Sequence, residues 1–378
     1  MHKRVSSSLT RFKEDKIGDN MNKVLSLFKE KFEKNPIVKN IRVYGWKFEY
    51  DHLLVSSLTN YLFEDLNIIE NIAPETNTNR DGRKKKNYYV CVHDTGDTDY
   101  DHTAGFWSNV VKVQNWEQGR YEASFQYVTG DDGIYHNIPD DEIGYHAGDS
   151  TYYSYDLIDS GLTGANPKPS VSISGDGYFM LDGIKTILLA PRAKLIRNGE
   201  VIYDRVARTE EINDQGILVK NVDGKYYIGV TYFNTGYELI ANRGGNNNSV
   251  GIESCINVGS DIYLTWQRTA KLVAKLLDEN NLCFDDVKQH HYYSGKNCPQ
   301  SMRMNGMWNH FMDLVKFEYA MLKFKQEGYK INLIVNDCDV KENGRIIKRD
   351  FNSKKEVNFV IETEYNGVKE KLELMKEI

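Results

Sequence analysis

Two short apolar runs that end in polar residues constrain the fold most strongly. YYVCVHDTG (88–96) and NSVGIESCIN (248–257) have the composition of buried strands, and each carries an ionisable residue near its end, His93 or Glu253. A helical repeat over 265–281 follows the second run and places its apolar residues on one face. Buried strands combined with amphipathic helices predict an α/β core.

The stretch between these two runs has a different character. From 151 to 245, turn-forming Asp-Gly or Asn-Gly pairs stand at 182–183, 198–199 and 223–224, each between strand-like segments. No helix of usable length is predicted there. We therefore expect a β-rich insertion that loops out of the core.

Both ends of the chain add further elements. We predict a helix over 19–35, a strand over 41–50 and a second helix over 53–66, which make 1–75 an N-terminal addition. Residues 327–378 contain a hairpin pattern around Asn366-Gly367 and predict a small all-β module. The central domain is then expected over 76–325.

Composition excludes several functional classes. The net charge of −6 argues against a general nucleic-acid binder, and no run of about 18 apolar residues predicts a membrane span. The five cysteines are irregularly spaced, which argues against a disulfide framework. The basic N-terminus has no apolar segment behind it, so we predict no signal peptide and a protein that is cytoplasmic when made. The oligomeric state stays open.

The loop QHHYYSGKNC (289–298) carries metal-binding side chains. His290 or His291 could supply an imidazole and Cys298 a thiolate, which together favour zinc. Lys296 adds a positive charge that favours the deprotonated thiol. At least one more ligand must come from elsewhere in the chain.

Four separated segments carry a family resemblance. The two strands above, the segment SFQYVTGDDGIYHNIPDDEIGYHAGD (124–149) and the loop HHYYSGKNCP together resemble the zinc-dependent N-acetylmuramoyl-L-alanine amidases of the T7-lysozyme and peptidoglycan-recognition superfamily, the type 2 amidases. The similarity covers about 88–150 and 246–325. It implies a central mixed β-sheet flanked by helices.

The resemblance also implies a ligand set. It assigns His93, His290 and Cys298 to one Zn²⁺ per chain. In the family branch with a cysteine ligand, the histidine lies eight residues before the cysteine and six before the lysine. That spacing fits His290 and not His291. Three protein ligands leave the fourth zinc position for water, as a catalytic site requires.

Further roles follow from the same resemblance. Glu253 is expected to act as the base and Lys296 to stabilise the oxyanion. The position of a family tyrosine is taken by Phe125, and Tyr127 lies two residues on. His146, in the HAG loop, is expected to line the substrate cleft together with Phe125 and Tyr127.

The expected function is hydrolysis of peptidoglycan. Zinc-bound water would cleave the amide between N-acetylmuramic acid and the L-alanine of the stem peptide, in an endolysin-like protein that reaches the cell wall after release. The alternative is a peptidoglycan-binding module of the same fold without activity. A third possibility is an unrelated zinc hydrolase with a peptide substrate.

Overall fold

A computed structural model of the 378-residue chain describes residues 21–34, 37–80, 82–113, 123–148, 157–190, 192–197, 200–206, 209, 219–229, 244–347, 350 and 352–378. The strands are β1 (Val38–Tyr44), β2 (Glu49–Val55), β3 (Ile68–Glu70), β4 (Tyr89–Asp94), β5 (Tyr127–Thr129), β6 (Ile134–His136), β7 (Leu157–Thr163), β8 (Val171–Ile173), β9 (Tyr178–Leu181), β10 (Ile184–Leu189), β11 (Arg192–Arg197), β12 (Glu200–Val206), β13 (Val219–Val222), β14 (Lys225–Gly229), β15 (Ser249–Ser254), β16 (Val287–Gln289), β17 (Lys330–Val335), β18 (Glu356–Tyr365) and β19 (Val368–Glu377). The helices include α1 (21–33), α2 (Ala104–Val113), α3 (Gly244–Asn248), α4 (Ile262–Glu279), α5 (His290–Ser294), α6 (Gln300–Met304) and α7 (Trp308–Gln326).

A six-stranded sheet forms the centre of the molecule. Its strand order is β16-β4-β15-β5-β6-β3. Four of the strands run parallel to one another, namely β16, β4, β15 and β5. Strand β6 pairs antiparallel with β5. The predicted mixed sheet flanked by helices is therefore confirmed. The carboxyl ends of β16, β4 and β15 meet at one edge of the sheet.

The two faces of this sheet differ because successive residues of a strand point to opposite sides. The main core lies on one face, where α4 and α7 pack on the sheet. Its members include Val90, Val92, Val250, Ile252, Trp266 and Phe311. On the other face lie Cys91 and His93 of β4, beside Gly251 and Glu253 of β15. Ionisable side chains are thus gathered on the face opposite the main core.

Helix α4 follows the predicted amphipathic repeat. It begins after Asp261, whose side chain accepts the N–H of Leu264 at 2.9 Å and caps the helix. Trp266, Ala270 and Val273 are fully buried on its sheet-facing side. None of the described helices is long and apolar enough to cross a membrane.

The described part of the insertion consists largely of strands. They form the sheets β10-β9-β8 and β13-β14-β7 and the pair β11-β12. Asp182 and Asp223 have φ values of 48° and 51° in the predicted tight turns, a conformation that Asp tolerates better than most residues. The third predicted turn, at 198–199, lies outside the described residues, although the strands on either side of it pair.

The N-terminal addition differs from the sequence prediction in one element. The helix predicted over 53–66 is wrong, because 49–55 form strand β2, which pairs antiparallel with β1. Leu54 is buried and its neighbour Leu53 is exposed, so the apolar residues follow a period of two. The predicted strand 41–50 is interrupted by a turn at 45–48. The predicted first helix is present over 21–33, and positions 19, 20 and 35 of the predicted range lie outside the described residues.

The two ends of the chain pack together. Strands β17, β18 and β19 form the expected antiparallel C-terminal sheet. Helix α1 lies between this sheet and α7, through a buried cluster that includes Val24, Phe28, Phe317 and Ile361. Strand β3, also from the N-terminal addition, joins the central sheet beside β6.

Arg80, which is buried, and Lys85, which is partly buried, fix the loop that precedes the HAG segment. Arg80 donates from Nε and Nη2 to the two oxygens of Glu142, at 2.7 and 2.9 Å. This pairing lowers the pKa of Glu142. The Nζ of Lys85 donates to Asn87 Oδ1 and to the carbonyl oxygens of Asp140 and Ser249 at 2.6–3.0 Å. Three acceptors satisfy the three N–H donors of an ammonium group.

Candidate metal centre

Three neighbouring parallel strands bring the candidate residues to one edge of the sheet. His93 is the fifth residue of β4, Glu253 is the fifth residue of β15, and His290 follows β16 directly. Glu253 and His93 are register partners, so their side chains project from the same face. The loop after α5 places Cys298 beside His93.

His93, His290 and Cys298 converge on a small volume. The Nδ1 atoms of His93 and His290 are 3.0 Å apart, and Cys298 Sγ lies 3.8 Å from His93 Nδ1. All three candidate ligand atoms lie within 4.8 Å of one another. Ligand atoms around tetrahedral zinc are about 3.3 to 3.6 Å apart, given Zn–N and Zn–S bonds of ~2.0 and ~2.3 Å. The donor set and its spacing therefore fit zinc.

The two adjacent histidines have different environments. His290 is 8% exposed and faces His93, whereas His291 is exposed and its backbone N–H donates to the carbonyl of Cys298 at 3.2 Å. The structure thus brings to the site the histidine that the spacing favoured.

Burial determines the protonation of these side chains. It lowers the pKa of His93 and His290 well below the usual value, and nearby positive charge, including that of Lys296, lowers them further. Both imidazoles are therefore neutral, which is the form that binds metal. Burial also raises the pKa of the Cys298 thiol, assisted by Glu253. Lys296 opposes this rise but does not outweigh it, so the thiolate requires a cation at the site itself.

Glu253 is a largely buried carboxyl beside the candidate ligands, with 14% of its side chain exposed. Its Oε1 lies 3.8 Å from His93 Nδ1, and its Oε2 has no hydrogen-bond partner among the described residues. Burial raises its pKa to about 8, against the opposing charge of Lys296, while Asp94 raises it further. A buried carboxyl oxygen without a partner is costly unless a cation or a substrate group compensates it.

Lys296 lies on the exposed side of the same loop. Its carbonyl accepts the N–H of Cys298 at 2.8 Å, which holds the loop closed. Its ammonium group acts to lower the pKa of Glu253, His93 and His290. The lysine charge therefore acts on the buried site from the solvent side.

A second set of side chains lies behind His93. His93 Nε2 is 3.0 Å from His146 Nδ1 and 3.1 Å from Cys91 Sγ. The cleft position of His146 stays a prediction. Its ring stands perpendicular to that of His93 and contacts the nitrogen that points away from the other candidate ligands. Cys91, His93 and His146 form a second cluster of potential ligand atoms. The two clusters share His93.

The position of His146 depends on close packing. Its N–H and that of Ala147 both donate to Asn246 Oδ1, at 2.8 and 2.6 Å. Its ring lies against Gly251, where an added Cβ would come within 2.6 Å of the imidazole. Glycine at this position of β15 is therefore required for the contact between His146 and His93.

Comparison with known proteins identifies the family. The model of the family Amidase_2, described as N-acetylmuramoyl-L-alanine amidase, matches residues 83–301, more than half of the chain. That range includes every candidate ligand, Glu253 and Lys296.

The chain belongs to this amidase family.

Two curated relatives come from Bacillus subtilis (strain 168). The N-acetylmuramoyl-L-alanine amidase CwlH is 22% identical over 246 residues, which cover 65% of this chain and 60% of CwlH. The N-acetylmuramoyl-L-alanine amidase XlyA is 36% identical over 61 residues, 16% of this chain and 20% of XlyA. The matches thus span less than two thirds of each relative. The solved catalytic domain of XlyA has a TM-score of 0.38 at 20% identity, over 66% of this chain and 99% of that domain.

Phe125 and Tyr127 are both buried, at 5% and 3% exposure. Phe125 is buried in a cluster with Ala104, Val111 and Val128, under helix α2. Tyr127 is 3% exposed, belongs to the main core, and stacks on His136 with ring centroids 4.5 Å apart. Its register partner is Ile252, so it projects from the face opposite Glu253. The prediction of cleft positions for these two residues is wrong.

Two residues of the centre were not singled out from the sequence. The backbone N–H of Asp94 points at Cys298 Sγ from 3.4 Å, and its carboxylate accepts the N–H of Ser301 at 2.7 Å. Cys91 contacts the far side of His93. The sequence contained a signal for Cys91, because it lies two residues before His93 in a strand and so on the same face. The contact of Asp94 had no such signal, since it depends on how the distant loop folds back.

Proposed function

We propose that the amidase hydrolyses peptidoglycan at the amide between N-acetylmuramic acid and the L-alanine of the stem peptide, with one zinc ion per chain. The observation that supports this most strongly is the convergence of His93, His290 and Cys298 beside Glu253, whose Oε2 has no hydrogen-bond partner among the described residues. All four lie within the range that matches the amidase family. Release from the cytoplasm to the cell wall stays a prediction.

His93, His290 and Cys298 would hold the zinc ion. When bound, zinc supplies Lewis-acid chemistry, which polarises a carbonyl group and makes a water molecule more acidic. His93 presents Nδ1 to this site, so its Nε2 carries the proton and can donate to His146 Nδ1 at 3.0 Å. His146 thereby fixes the tautomer and the ring orientation of His93.

Glu253 is the proposed base. It removes a proton from the attacking water and delivers it to the nitrogen of the leaving alanine, so that the amide bond breaks and no net proton is consumed. Burial raises the pKa of Glu253 from 4.5 to about 8, and the positive charge of Lys296 opposes this rise. A carboxyl with a pKa near neutrality can both take and return a proton. No tyrosine is needed for this step, in agreement with the buried position of Tyr127.

Lys296 is the proposed electrostatic partner of the oxyanion. Its side chain is exposed and its charge acts on Glu253 and on both histidines. When the scissile carbonyl becomes tetrahedral, negative charge develops on its oxygen, and a cation beside it lowers the barrier. Arginine at this position would keep the charge but change its geometry.

Digestion of purified cell walls tests the proposal. We expect the wild-type protein to release new N-terminal alanine in a zinc-dependent manner, and Glu253→Gln to lose nearly all release while the protein stays folded. New reducing sugar ends would instead identify a glycosidase. Binding to walls without any release would favour the alternative, a binding module that does not cleave.

A further inference from the structure

The turn between β1 and β2, residues 45–48 (GWKF), lies directly on the loop that follows His93. The N–H of Trp46 donates to the carbonyl of Gly96 at 2.8 Å, and Thr98 Oγ1 donates to the carbonyl of Phe48 at 3.2 Å. An added Cβ at Gly96, where φ is +69°, would come within 2.3 Å of the Trp46 ring. The turn and the loop are therefore packed in a fixed arrangement.

The same hairpin is held at two further places around the candidate centre. Tyr50 donates its hydroxyl to the carbonyl of Ile256, in the loop after β15, at 2.6 Å. Asn305, at the end of α6, exchanges two hydrogen bonds with the backbone of Arg42 at 3.2 and 2.8 Å. The hairpin thus contacts the segments that follow His93, Glu253 and Cys298. Its position relative to the centre is fixed by all three.

This anchored turn presents an aromatic surface to solvent. Trp46 is 67% exposed although its backbone is hydrogen-bonded, and its ring meets Trp107 edge-on with centroids 6.3 Å apart. Phe106 is partly exposed, contacts Trp107, and stacks on His102 with centroids 3.9 Å apart. We call Trp46, Phe106, Trp107 and His102 the aromatic shelf. Two elements form it, the N-terminal hairpin and the start of α2.

An exposed tryptophan on a rigid support needs an explanation, because large apolar groups at the surface commonly mark a binding site. The face of a pyranose ring carries C–H groups, and its edge carries hydroxyl and amide groups. Such a ligand packs flat on an aromatic face and places its polar groups in water. Asp97 is buried and accepts from His102 Nδ1 at 2.7 Å, which fixes the ring on which Phe106 stacks. The shelf therefore matches a sugar better than the small and acidic side chains of a stem peptide.

We propose that the aromatic shelf is a saccharide subsite that binds an N-acetylhexosamine ring of the glycan strand next to the cleaved muramic acid. The inference rests on the proposed function for the identity of the substrate. Trp46 lies outside the range that matches the amidase family, whereas the α2 part of the shelf lies inside it. The N-terminal hairpin thus extends the substrate site of the family domain.

Binding of a peptide-free sugar tests the subsite directly. We would titrate the full-length protein with the tetramer of N-acetylglucosamine, using calorimetry and the chemical shift of the Trp46 indole N–H. Loss of one stacked aromatic ring is expected to weaken binding about tenfold in Trp46→Ala, with a smaller loss in Trp46→Phe. The matched control is Tyr88→Ala, which removes another exposed ring that precedes β4 at the amino end of the strand. The control should bind the tetramer as the wild type does.

The possible outcomes test the saccharide subsite independently of the proposed hydrolase function. The proposed subsite would be overturned if the wild type did not bind the tetramer. It would also be overturned if Trp46→Ala bound the tetramer with the affinity of the wild type. A shift of the Trp46 indole signal with a free stem peptide and not with the tetramer would overturn it as well. If Trp46→Ala does not fold, Trp46→Phe and the indole signal of the wild type decide the question. Because the tetramer contains no stem-peptide amide, its binding is independent of cleavage, and failure of the wall digestion alone would remove only the proposed function.

Discussion

Substitution of Cys298 decides between the two clusters that share His93. Cys298 Sγ lies on the Nδ1 side of this histidine at 3.8 Å, and Cys91 Sγ lies on the Nε2 side at 3.1 Å. Both thiols are buried. We predict that Cys298→Ser loses zinc and that Cys91→Ser retains it, which makes the second variant a matched control for the loss of a buried thiol near the same ring.

The size of the effect follows from the role assigned to each thiol. Loss of a group that only supports a ligand costs about 10- to 100-fold in metal affinity. Cys298 is itself a proposed ligand, and serine offers a shorter side chain whose hydroxyl stays protonated, so Cys298→Ser should lose zinc affinity by at least ~1,000-fold, or ~4 kcal/mol. Because Cys298 is only 4% exposed, little water can replace it. For Cys91→Ser we expect a loss of about tenfold or less, since His146 still accepts from His93.

Competition with a fluorescent zinc chelator at pH 7.5 measures both affinities, and elemental analysis after dialysis gives the stoichiometry. The wild type and Cys91→Ser should each retain about one zinc per chain. Full zinc retention in Cys298→Ser would refute the ligand assignment. Loss of zinc in Cys91→Ser alone would move the metal to the cluster of Cys91, His93 and His146.

Three further predictions concern the support of the centre and the stability of the fold. His146→Ala should weaken zinc binding about 10- to 100-fold in the chelator assay, and His146→Gln, which offers an oxygen acceptor to His93, should restore part of it; equal affinity in all three proteins would contradict the role of His146. Pairing with Arg80 lowers the pKa of Glu142 below its ordinary 4.5, so this group stabilises the fold above pH 4.5 and loses that contribution as pH falls through its folded-state pKa. Glu142→Gln should therefore be about 3 kcal/mol less stable than the wild type in urea unfolding at pH 7, with a smaller difference at pH 3.5, and a constant difference would rule out this linkage. Lys85→Met removes the side chain that donates to three acceptors, and it should lower the free energy of unfolding by about 2 kcal/mol in the same assay at pH 7. An unchanged midpoint of urea unfolding would show that water or neighbouring donors replace the lysine.

The sequence indicated which residues meet at the candidate centre, because most of them lie at the ends of strands with clear patterns. His93 and Glu253 each stand near the end of a buried apolar run, and parallel neighbours place such ends at one edge. The spacing within the loop separated His290 from His291 through the family resemblance. These features depend on residues that are close together in the chain, so they can be read from a single sequence.

The wrong predictions, and also the position of His146, depended on contacts between distant residues or on local geometry. Residues 49–55 form a strand because they pair with β1, although a short apolar run fits a helix equally well. Tyr127 lies on the core face because of its register with Ile252, which the tyrosine motif could not reveal. His146 lies behind His93, 53 positions away, only because Gly251 leaves room for its ring.

The most direct test of the proposed reaction uses a defined substrate, N-acetylmuramyl-L-alanyl-D-isoglutamine, with mass spectrometry of the products. With zinc, we predict N-acetylmuramic acid and the free dipeptide, whose summed mass exceeds that of the substrate by one water. Glu253→Gln should slow this reaction by about 100-fold or more, as expected for loss of a general base. Intact substrate after prolonged incubation with the zinc-loaded wild type, or cleavage at the alanine–isoglutamine bond, would contradict the proposed function.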